Sequence, residues 1–296
     1  MRILSEAKKW GDFVKISHTI FALPFALSAM VLASKETNGW PGWKLFLLII
    51  FCMFFARTSA MAFNRIVDRK FDAKNPRTAD RHLPKGKISL ASAWTLCAAS
   101  GTAFIATTFF ISFTCFYLSP VALLTVYFYS LTKRFTNFTH IFLGLALSLA
   151  PVGAWLAVKG NFSVDPLESG IWIPILMGLG VTLWLIGFDI IYATQDYDFD
   201  KESGLKSVVV KFGIPTSLKI AWTSHFMMWL AFLALGIMAN MGWFYFSGLF
   251  LIFVGLNYEH VVARQRKLDW VNIAFFRLNA LVSLIYLISI LLEVWI

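Results

Sequence analysis

The sequence predicts an all-α integral membrane protein with about nine transmembrane helices around a central cavity. Three observations carry this prediction. Of the 296 residues, 58% are hydrophobic and only 14% are charged, whereas soluble domains carry about 25% charged residues. The mean hydropathy is +0.70. Apolar residues also run in stretches of about 17–25 residues, which is the length a helix needs to cross a bilayer.

Nine such stretches follow one another along the chain. They cover residues 14–33, 43–63, 90–112, 116–132, 140–158, 171–192, 217–239, 243–260 and 273–295. The N-terminal segment is long and polar, and the first apolar stretch lacks a small-residue cleavage site before the loop that follows it, so we expect the first helix to stay in the mature protein. Cys52, Cys97 and Cys115 lie in or beside apolar stretches without paired spacing, which predicts packing roles and no disulfide. No linker divides the chain, so we expect a single membrane domain over residues 1–296.

The basic residues are concentrated in alternate loops, on one side of the predicted helices. The formal net charge is +10, but 21 of the 26 Lys and Arg residues fall on one side of the predicted helices. The opposite side carries three, namely Lys35, Lys44 and Lys159. This asymmetry follows the positive-inside rule, so it predicts a multi-pass protein of the inner (plasma) membrane with its N-terminus and long basic loops in the cytoplasm. The charge is therefore explained by orientation in the lipid bilayer, and we expect no nucleic acid partner.

Two long charged loops, residues 64–89 and 193–216, share one acidic pattern. Each contains D-x-x-x-D directly after a long apolar stretch, and the two copies are 128 residues apart. The copies are Asp68 with Asp72, and Asp196 with Asp200. We interpret them as an internal repeat of helix and Asp-rich loop, of the kind that builds a central site between the repeats.

The spacing of these aspartates has a chemical consequence. At i, i+4 two carboxylates project from one helix face and repel each other, which costs a few tenths of a kcal/mol. Cations relieve that repulsion, and carboxylate oxygens suit Mg²⁺, which one or two carboxylates and phosphate oxygens normally hold. Two such pairs among Lys and Arg residues therefore predict a magnesium-diphosphate site.

The motifs themselves resemble those of a known family. NRIVDRKFD, residues 64–72, resembles the N-x-x-x-D-x-x-x-D signature of the UbiA prenyltransferases, and YATQDYDFD, residues 192–200, resembles their second signature. The segment YSLTKRFTN, residues 129–137, is also similar. The resemblance implies two Mg²⁺ ions that bridge the diphosphate of an isoprenoid donor. Their implied ligands are Asn64, Asp68, Asp72, Asp196 and Asp200.

The same resemblance implies roles for further residues. Tyr129 and Lys133, in Y-x-x-x-K, match an element that reaches the diphosphate, and Arg134 matches a position that engages the acceptor. Arg65 and Tyr192, within the two motifs, are implied substrate contacts. The alternative for Tyr129 and Lys133 is an ordinary anchoring role at the membrane interface.

Two charged residues inside apolar stretches are candidates on physical grounds. An arginine at the centre of a membrane helix costs at least about 2.5 kcal/mol and normally faces a cavity or a partner. Arg57 precedes Asn64 by two helical turns, so both lie near one face. We expect Arg57 to pair with a carboxylate of the acceptor or of the protein, Asp189 included, and a structural salt bridge is the alternative. Asp189 lies two turns before Asp196 and is a catalytic candidate that orients the acceptor hydroxyl.

The predicted reaction is electrophilic aromatic substitution on an aromatic acid by a polyprenyl diphosphate, assisted by Mg²⁺. The resemblance favours 4-hydroxybenzoate as acceptor, in quinone biosynthesis. Residues 15–27 depart from the opening of the best-known 4-hydroxybenzoate enzymes, so a dihydroxynaphthoate of menaquinone synthesis is the alternative. A secondary transporter also uses repeats and intramembrane charge. The acids here lie at one membrane face, which argues against transport.

Overall fold

The protein is helical throughout the part of the chain that can be described. The computed structural model describes residues 2–161, 170–264 and 268–296, without the side chains of residues 2–5, 18, 20 and 268–275. The helices are α1 (Arg2–Phe13), α2 (Thr19–Ala33), α3 (Trp43–Asp72), α4 (Leu90–Phe109), α5 (Phe113–Thr132), α6 (Thr139–Lys159), α7 (Trp172–Ala193), α8 (Tyr197–Glu202), α9 (Val208–Phe212), α10 (Ile214–Met238), α11 (Trp243–Arg264) and α12 (Leu268–Trp295).

Eight spans within the described ranges are long and apolar enough to cross a membrane: α3 to α6, α7 together with α8, α10, α11, and Phe276–Trp295 of α12. The predicted all-α membrane fold is therefore confirmed. The first of the nine predicted stretches, residues 14–33, forms the shorter helix α2. Its 15 residues extend about 22 Å, against a hydrocarbon core of about 30 Å. The helix begins at Thr19, five residues after the start of the predicted stretch. Before it, Lys15 has a left-handed backbone (φ 51°) and Ile16–His18 form a 3₁₀ turn.

The helices form two compact units. The first unit comprises residues 1–19 and 46–131, and therefore α1, most of α3, α4 and α5. A buried apolar cluster that includes Phe13, Ile66 and Cys97 packs α1 against α3 and α4. The Ser59 hydroxyl lies 2.7 Å from the Cys97 carbonyl and 2.5 Å from the Tyr127 hydroxyl. Small polar groups thus join α3, α4 and α5 where the helices are apolar on their outer faces.

The second unit comprises residues 20–45 and 132–296. Helix α7 packs against α6 and α10, and α11 packs against α12. Trp184 of α7 is fully buried, and its indole N–H donates to Asn279 Oδ1 at 2.9 Å. A Cβ atom on Gly144 of α6 would lie 2.7 Å from the Thr182 carbonyl oxygen, so α6 and α7 approach each other closely at this glycine.

The two Asp-rich segments are helix ends, and this corrects the loop boundaries predicted from the sequence. Helix α3 continues to Asp72, because no Gly or Pro interrupts it before Pro76, whose ring disfavours helix in the residue before it. In the second copy, α7 ends at Ala193, a 3₁₀ turn covers Thr194–Asp196, and α8 follows at once. The acidic side chains are therefore held on helical backbone.

Candidate active site

The first acidic motif occupies the last turns of α3. Asp68 and Asp72 are 2% and 6% exposed, although their carboxylates lie at the end of the helix where the macrodipole is negative. The Asn64 amide donates to Asp68 Oδ2 at 3.2 Å. Buried carboxylates are stable only when they are paired or bind a metal. This helix end therefore has the electrostatics of a cation site.

Asp72 has one satisfied oxygen and one orphan oxygen. Arg81 Nη1 donates to Asp72 Oδ1 at 2.6 Å, while Asp72 Oδ2 is buried without a hydrogen-bond partner. The turn that brings Arg81 back is closed by the Thr78 hydroxyl, which donates to the Asp72 carbonyl at 3.1 Å. The orphan oxygen can serve as a ligand for a hard cation, because carboxylate oxygens are what Mg²⁺ prefers.

Other predicted residues of the first unit lie close to this motif. Arg65 is 7% exposed and belongs to the same stretch of α3. The Asn64 amide also reaches the Ser130 hydroxyl at 3.4 Å, so the end of α5 that carries half-buried Tyr129 lies beside the motif. In the loop that follows, burial and the positive charge of Lys87 lower the pKa of His82.

Arg57 lies on α3, two turns before Asn64. Its Nη2 donates to the Lys15 carbonyl at 3.2 Å, and its Nε is buried without a partner. Within this unit, the Arg57 guanidinium thus contacts a backbone carbonyl where we expected a carboxylate. A carbonyl carries no net charge, so the positive charge of the guanidinium is not neutralised by this contact. The pairing of Arg57 with an acceptor carboxylate stays a prediction.

The second acidic motif lies where α7 passes through the 3₁₀ turn into α8. Asp196 ends that turn and Asp200 lies within α8. Both are half-buried, whereas Asp198 between them is exposed. Tyr192 is half-buried on the last turn of α7 and, at the repeat offset of 128 residues, occupies the place that Asn64 has in the first motif. The side-chain amide nitrogen of Gln195 is buried without a partner.

Lys133 and Arg134 lie in the short connection between α5 and α6, and the fold joins this connection to the second motif. The Lys206 N–H donates to the Lys133 carbonyl at 2.8 Å, and Lys206 Nζ donates to the Phe135 carbonyl at 3.3 Å. The Leu205 N–H in turn donates to the Asp200 carbonyl at 2.9 Å. The basic pair and the second acidic motif therefore belong to one hydrogen-bonded loop assembly.

Asp189 has a partner that the sequence argument missed. His140 of α6 lies with Nδ1 2.6 Å from Asp189 Oδ2. Asp189 therefore pairs with His140 within the second unit, and its pairing with Arg57 stays a prediction. The signal that indicates His140 is its position in an apolar helix, since an ionisable residue in the membrane is a functional candidate.

The predicted residues thus gather in two sets, one in each unit. The first set is Arg57, Asn64, Arg65, Asp68, Asp72 and Tyr129, and the second set is Lys133, Arg134, Asp189, Tyr192, Asp196 and Asp200. Among the described residues no three His, Cys, Asp or Glu side chains form a ready-made metal cluster. Each motif supplies two carboxylates, which suits Mg²⁺ only where phosphate oxygens complete the coordination.

Known proteins resemble the chain over nearly its full length. The profile of the UbiA prenyltransferase family matches residues 22–281. A 4-hydroxybenzoate octaprenyltransferase of Marinomonas sp. (strain MWYL1) is 31% identical over 254 residues, covering 84% of this chain and 81% of that protein. A protein of the same name from Vibrio parahaemolyticus serotype O3:K6 (strain RIMD 2210633) is 28% identical and covers 98% and 99% of the two chains.

Two solved structures share the fold. The apo structure of a UbiA homolog from Aeropyrum pernix K1 is 30% identical, with a TM-score of 0.84 over 94% of this chain and 98% of that chain. A UbiA homolog from Archaeoglobus fulgidus bound to DMAPP and Mg²⁺ is 20% identical, with a TM-score of 0.67 over 95% and 99% of the two chains.

Proposed function

The chain belongs to the UbiA prenyltransferase family, and on that basis we propose that this membrane enzyme transfers a polyprenyl group from a polyprenyl diphosphate to 4-hydroxybenzoate. The observation that carries the proposal is the pair of D-x-x-x-D motifs, each on a helix end beside basic side chains. Relatives with 28% and 31% identity bear the name 4-hydroxybenzoate octaprenyltransferase, which supports the choice of acceptor. The alternative acceptor is a dihydroxynaphthoate.

The donor set fits a magnesium cofactor. Buried Asp68 and the orphan oxygen of Asp72 supply hard oxygen ligands, and we propose that Asn64, Asp196 and Asp200 complete the protein's share. Bound Mg²⁺ would neutralise the charge that develops on the departing diphosphate. A UbiA homolog crystallised with DMAPP and Mg²⁺ supports this assignment.

The chain's own cations take the remaining charge. Lys133 and Arg134, fixed by the Lys206 hydrogen bond to the Lys133 carbonyl, would bind the diphosphate and the acceptor respectively. Tyr129 and Tyr192 would donate hydroxyl hydrogen bonds to the diphosphate, and Arg65 would add a further positive charge. Such preorganised donors stabilise developing charge without reorganising during the reaction.

Arg57 is proposed to bind the acceptor carboxylate. Its guanidinium has one carbonyl partner and a buried, unpartnered Nε, so an anion would gain from both its charge and its free donor. The allylic cation must be protected from water, which would otherwise give a prenyl alcohol. The apolar helices that surround these polar groups would exclude that water.

The proposal extends to the whole chain and its place in the cell. We propose that residues 1–296 form one prenyltransferase domain. Polyprenyl chains dissolve in lipid, so the enzyme would take its donor from the bilayer of the inner (plasma) membrane and its acceptor from the cytoplasm. The product would be a prenylated aromatic acid for ubiquinone, or for menaquinone with the alternative acceptor. Family membership removes the transport alternative.

The test is product formation by the purified protein in detergent or nanodiscs. We expect radiolabelled polyprenyl diphosphate and Mg²⁺ to give labelled prenyl-4-hydroxybenzoate, and EDTA to abolish it. A panel with dihydroxynaphthoate alongside decides the acceptor. Failure of every hydroxylated aromatic acid to accept the label, while the donor still binds, would refute the proposed reaction.

A further inference from the structure

A histidine–aspartate pair lies inside the second unit, outside the two acidic motifs. His140 Nδ1 of α6 is 2.6 Å from Asp189 Oδ2 of α7. The histidine side chain is 2% exposed and the aspartate side chain is 23% exposed. The imidazole is therefore the buried partner of the pair, and the carboxylate is the partner that a ligand can reach.

The packing of α6 against α7 fixes this geometry. Gly144 is one helical turn beyond His140, and a Cβ at that position would lie 2.7 Å from the Thr182 carbonyl oxygen. Thr182 is in turn two turns before Asp189 on α7. Close approach at a small residue sets the register of the two helices, so the His140 ring meets Asp189 at one depth only.

The hydrogen-bonding pattern leaves one carboxylate oxygen of Asp189 available. Within the described part of the chain, the Asp189 side chain pairs with His140 through Oδ2. The far ring nitrogen of His140, Nε2, is buried without a partner. The contact of the ring with Asp189 is therefore its one hydrogen bond among the described residues. Because a buried polar nitrogen without a partner is costly, this arrangement points to a role in holding Asp189.

A donor bound at the second motif, as proposed above, would have its reacting end on the Asp189 side of that motif. Asp189 precedes Asp196 by seven residues, four on α7 and three in the 3₁₀ turn, which is about two turns and about 12 Å along the axis. A donor whose diphosphate is bound at Asp196 and Asp200 would direct its prenyl carbon toward this deeper level. An acceptor ring attacking that carbon would have its hydroxyl within reach of Asp189.

We propose that Asp189 is the base that takes the proton of the acceptor's ring hydroxyl, and that His140 is its positioning residue. This inference rests on the proposed function. The C–O bond of the donor breaks, and its electron pair leaves with the diphosphate. As the hydroxyl proton moves to Asp189, the ring carbon beside the hydroxyl bonds to the allylic cation that remains. The resulting dienone regains the Asp189 proton on oxygen and loses its ring proton to the diphosphate, which restores the aromatic ring.

The competing explanation is a structural hydrogen bond between two membrane helices, which polar residues often form. The two explanations differ in their dependence on the acceptor. A base that removes the hydroxyl proton matters less when the acceptor ionises more readily. A structural bond affects every acceptor equally.

The experiment therefore compares 4-hydroxybenzoate with 3-fluoro-4-hydroxybenzoate, whose hydroxyl is more acidic and which keeps one free ring position beside it. Asp189→Asn should lower kcat for 4-hydroxybenzoate about 10²–10⁴-fold, leave the donor KM within about threefold, and lose at least about tenfold less on the fluorinated acceptor. His140→Asn, which keeps a donor at the Nδ1 position, should retain more activity than His140→Leu. Equal losses on both acceptors, or a full kcat in Asp189→Asn, would overturn the assignment.

A matched control comes from the same helix. Trp184→Phe removes the interhelical hydrogen bond to Asn279 without touching His140 or Asp189, and it should leave the ratio between the two acceptors unchanged. If His140→Leu does not fold, Asp189→Asn and His140→Asn still decide the question. Absence of product from the unsubstituted protein would refute the proposed function and the base with it, whereas product formation with unaffected variants would refute the base alone.

Discussion

At the scale of single residues, the contact between Arg81 and Asp72 shows how the chain stabilises a buried acid. Asp72 lies at the negative end of α3, and one of its oxygens has a 2.6 Å contact with Arg81 Nη1 while the other has none. The arginine compensates part of the charge and leaves a ligand position open. Full compensation by a second protein cation would remove that position.

Replacement of Arg81 should therefore destabilise the protein before any substrate is added. Arg81→Gln leaves the Asp72 carboxylate buried without its charged partner, and we expect a loss of about 1–3 kcal/mol in unfolding free energy. Thermal or denaturant unfolding in detergent measures it. Lys85→Gln, which breaks an exposed ion pair with Asp80 in the same loop, is the control and should leave stability unchanged. Equal stability of both variants would show that the Asp72 contact contributes nothing.

At the scale of elements, glycines decide how closely the membrane helices pack. Helix α6 contains Gly144, which faces the Thr182 backbone of α7, and Gly153, where an added Cβ atom would meet nothing within 4 Å. The same substitution at these two sites therefore meets opposite surroundings. Only the first site holds α6 against α7.

Replacing each of the two glycines with alanine should change the unfolding free energy in opposite directions. Gly144→Ala forces α6 and α7 apart and should cost about 1–3 kcal/mol, with a loss of prenyl transfer because His140 moves away from Asp189. Gly153→Ala should stabilise the helix by about 0.5–1 kcal/mol and keep activity. Unfolding curves and turnover of the two variants provide the comparison. A Gly144→Ala protein as stable as Gly153→Ala would contradict the close packing.

At the scale of the whole molecule, the short helix α2 determines on which side of the membrane the N-terminal segment lies. Its 15 residues are fewer than the other spans have, yet the distribution of basic residues predicts a crossing between the N-terminal segment and Glu36. Local thinning of the bilayer and tilting of neighbouring helices accommodate short spans at modest cost.

Single cysteines in a background without Cys52, Cys97 and Cys115 test this topology. In intact bacterial cells that express the protein, a membrane-impermeant maleimide should label Glu36→Cys, whereas Glu6→Cys and Asp198→Cys should react only after lysis. Labelling of both Glu6→Cys and Glu36→Cys in intact cells would show that α2 does not cross. Labelling of Asp198→Cys there would reverse the predicted orientation.

The sequence allowed the helices and acidic motifs to be predicted because both depend on local patterns. Apolar length identifies spans, and D-x-x-x-D spacing identifies one helix face. Helix ends were harder to predict from the sequence. Helix α3, for example, continues to Asp72 because no helix-breaking residue occurs before Pro76. The His140 contact with Asp189 and the Arg81 contact with Asp72 depend on tertiary packing between residues 49 and 9 positions apart, which no local pattern encodes.

The central proposal, that each acidic motif is needed for Mg²⁺-dependent binding of the diphosphate, is tested most directly with a non-reactive polyprenyl thiolodiphosphate. Calorimetry on Asp68→Ala and Asp196→Ala, with Asp80→Ala and Asp198→Ala as exposed controls from the same segments, makes the measurement. We predict that each motif variant loses Mg²⁺-dependent binding and about 10²–10³-fold in kcat while it stays folded, and that both controls bind as the unsubstituted protein does. Full Mg²⁺-dependent binding by either motif variant would contradict the account.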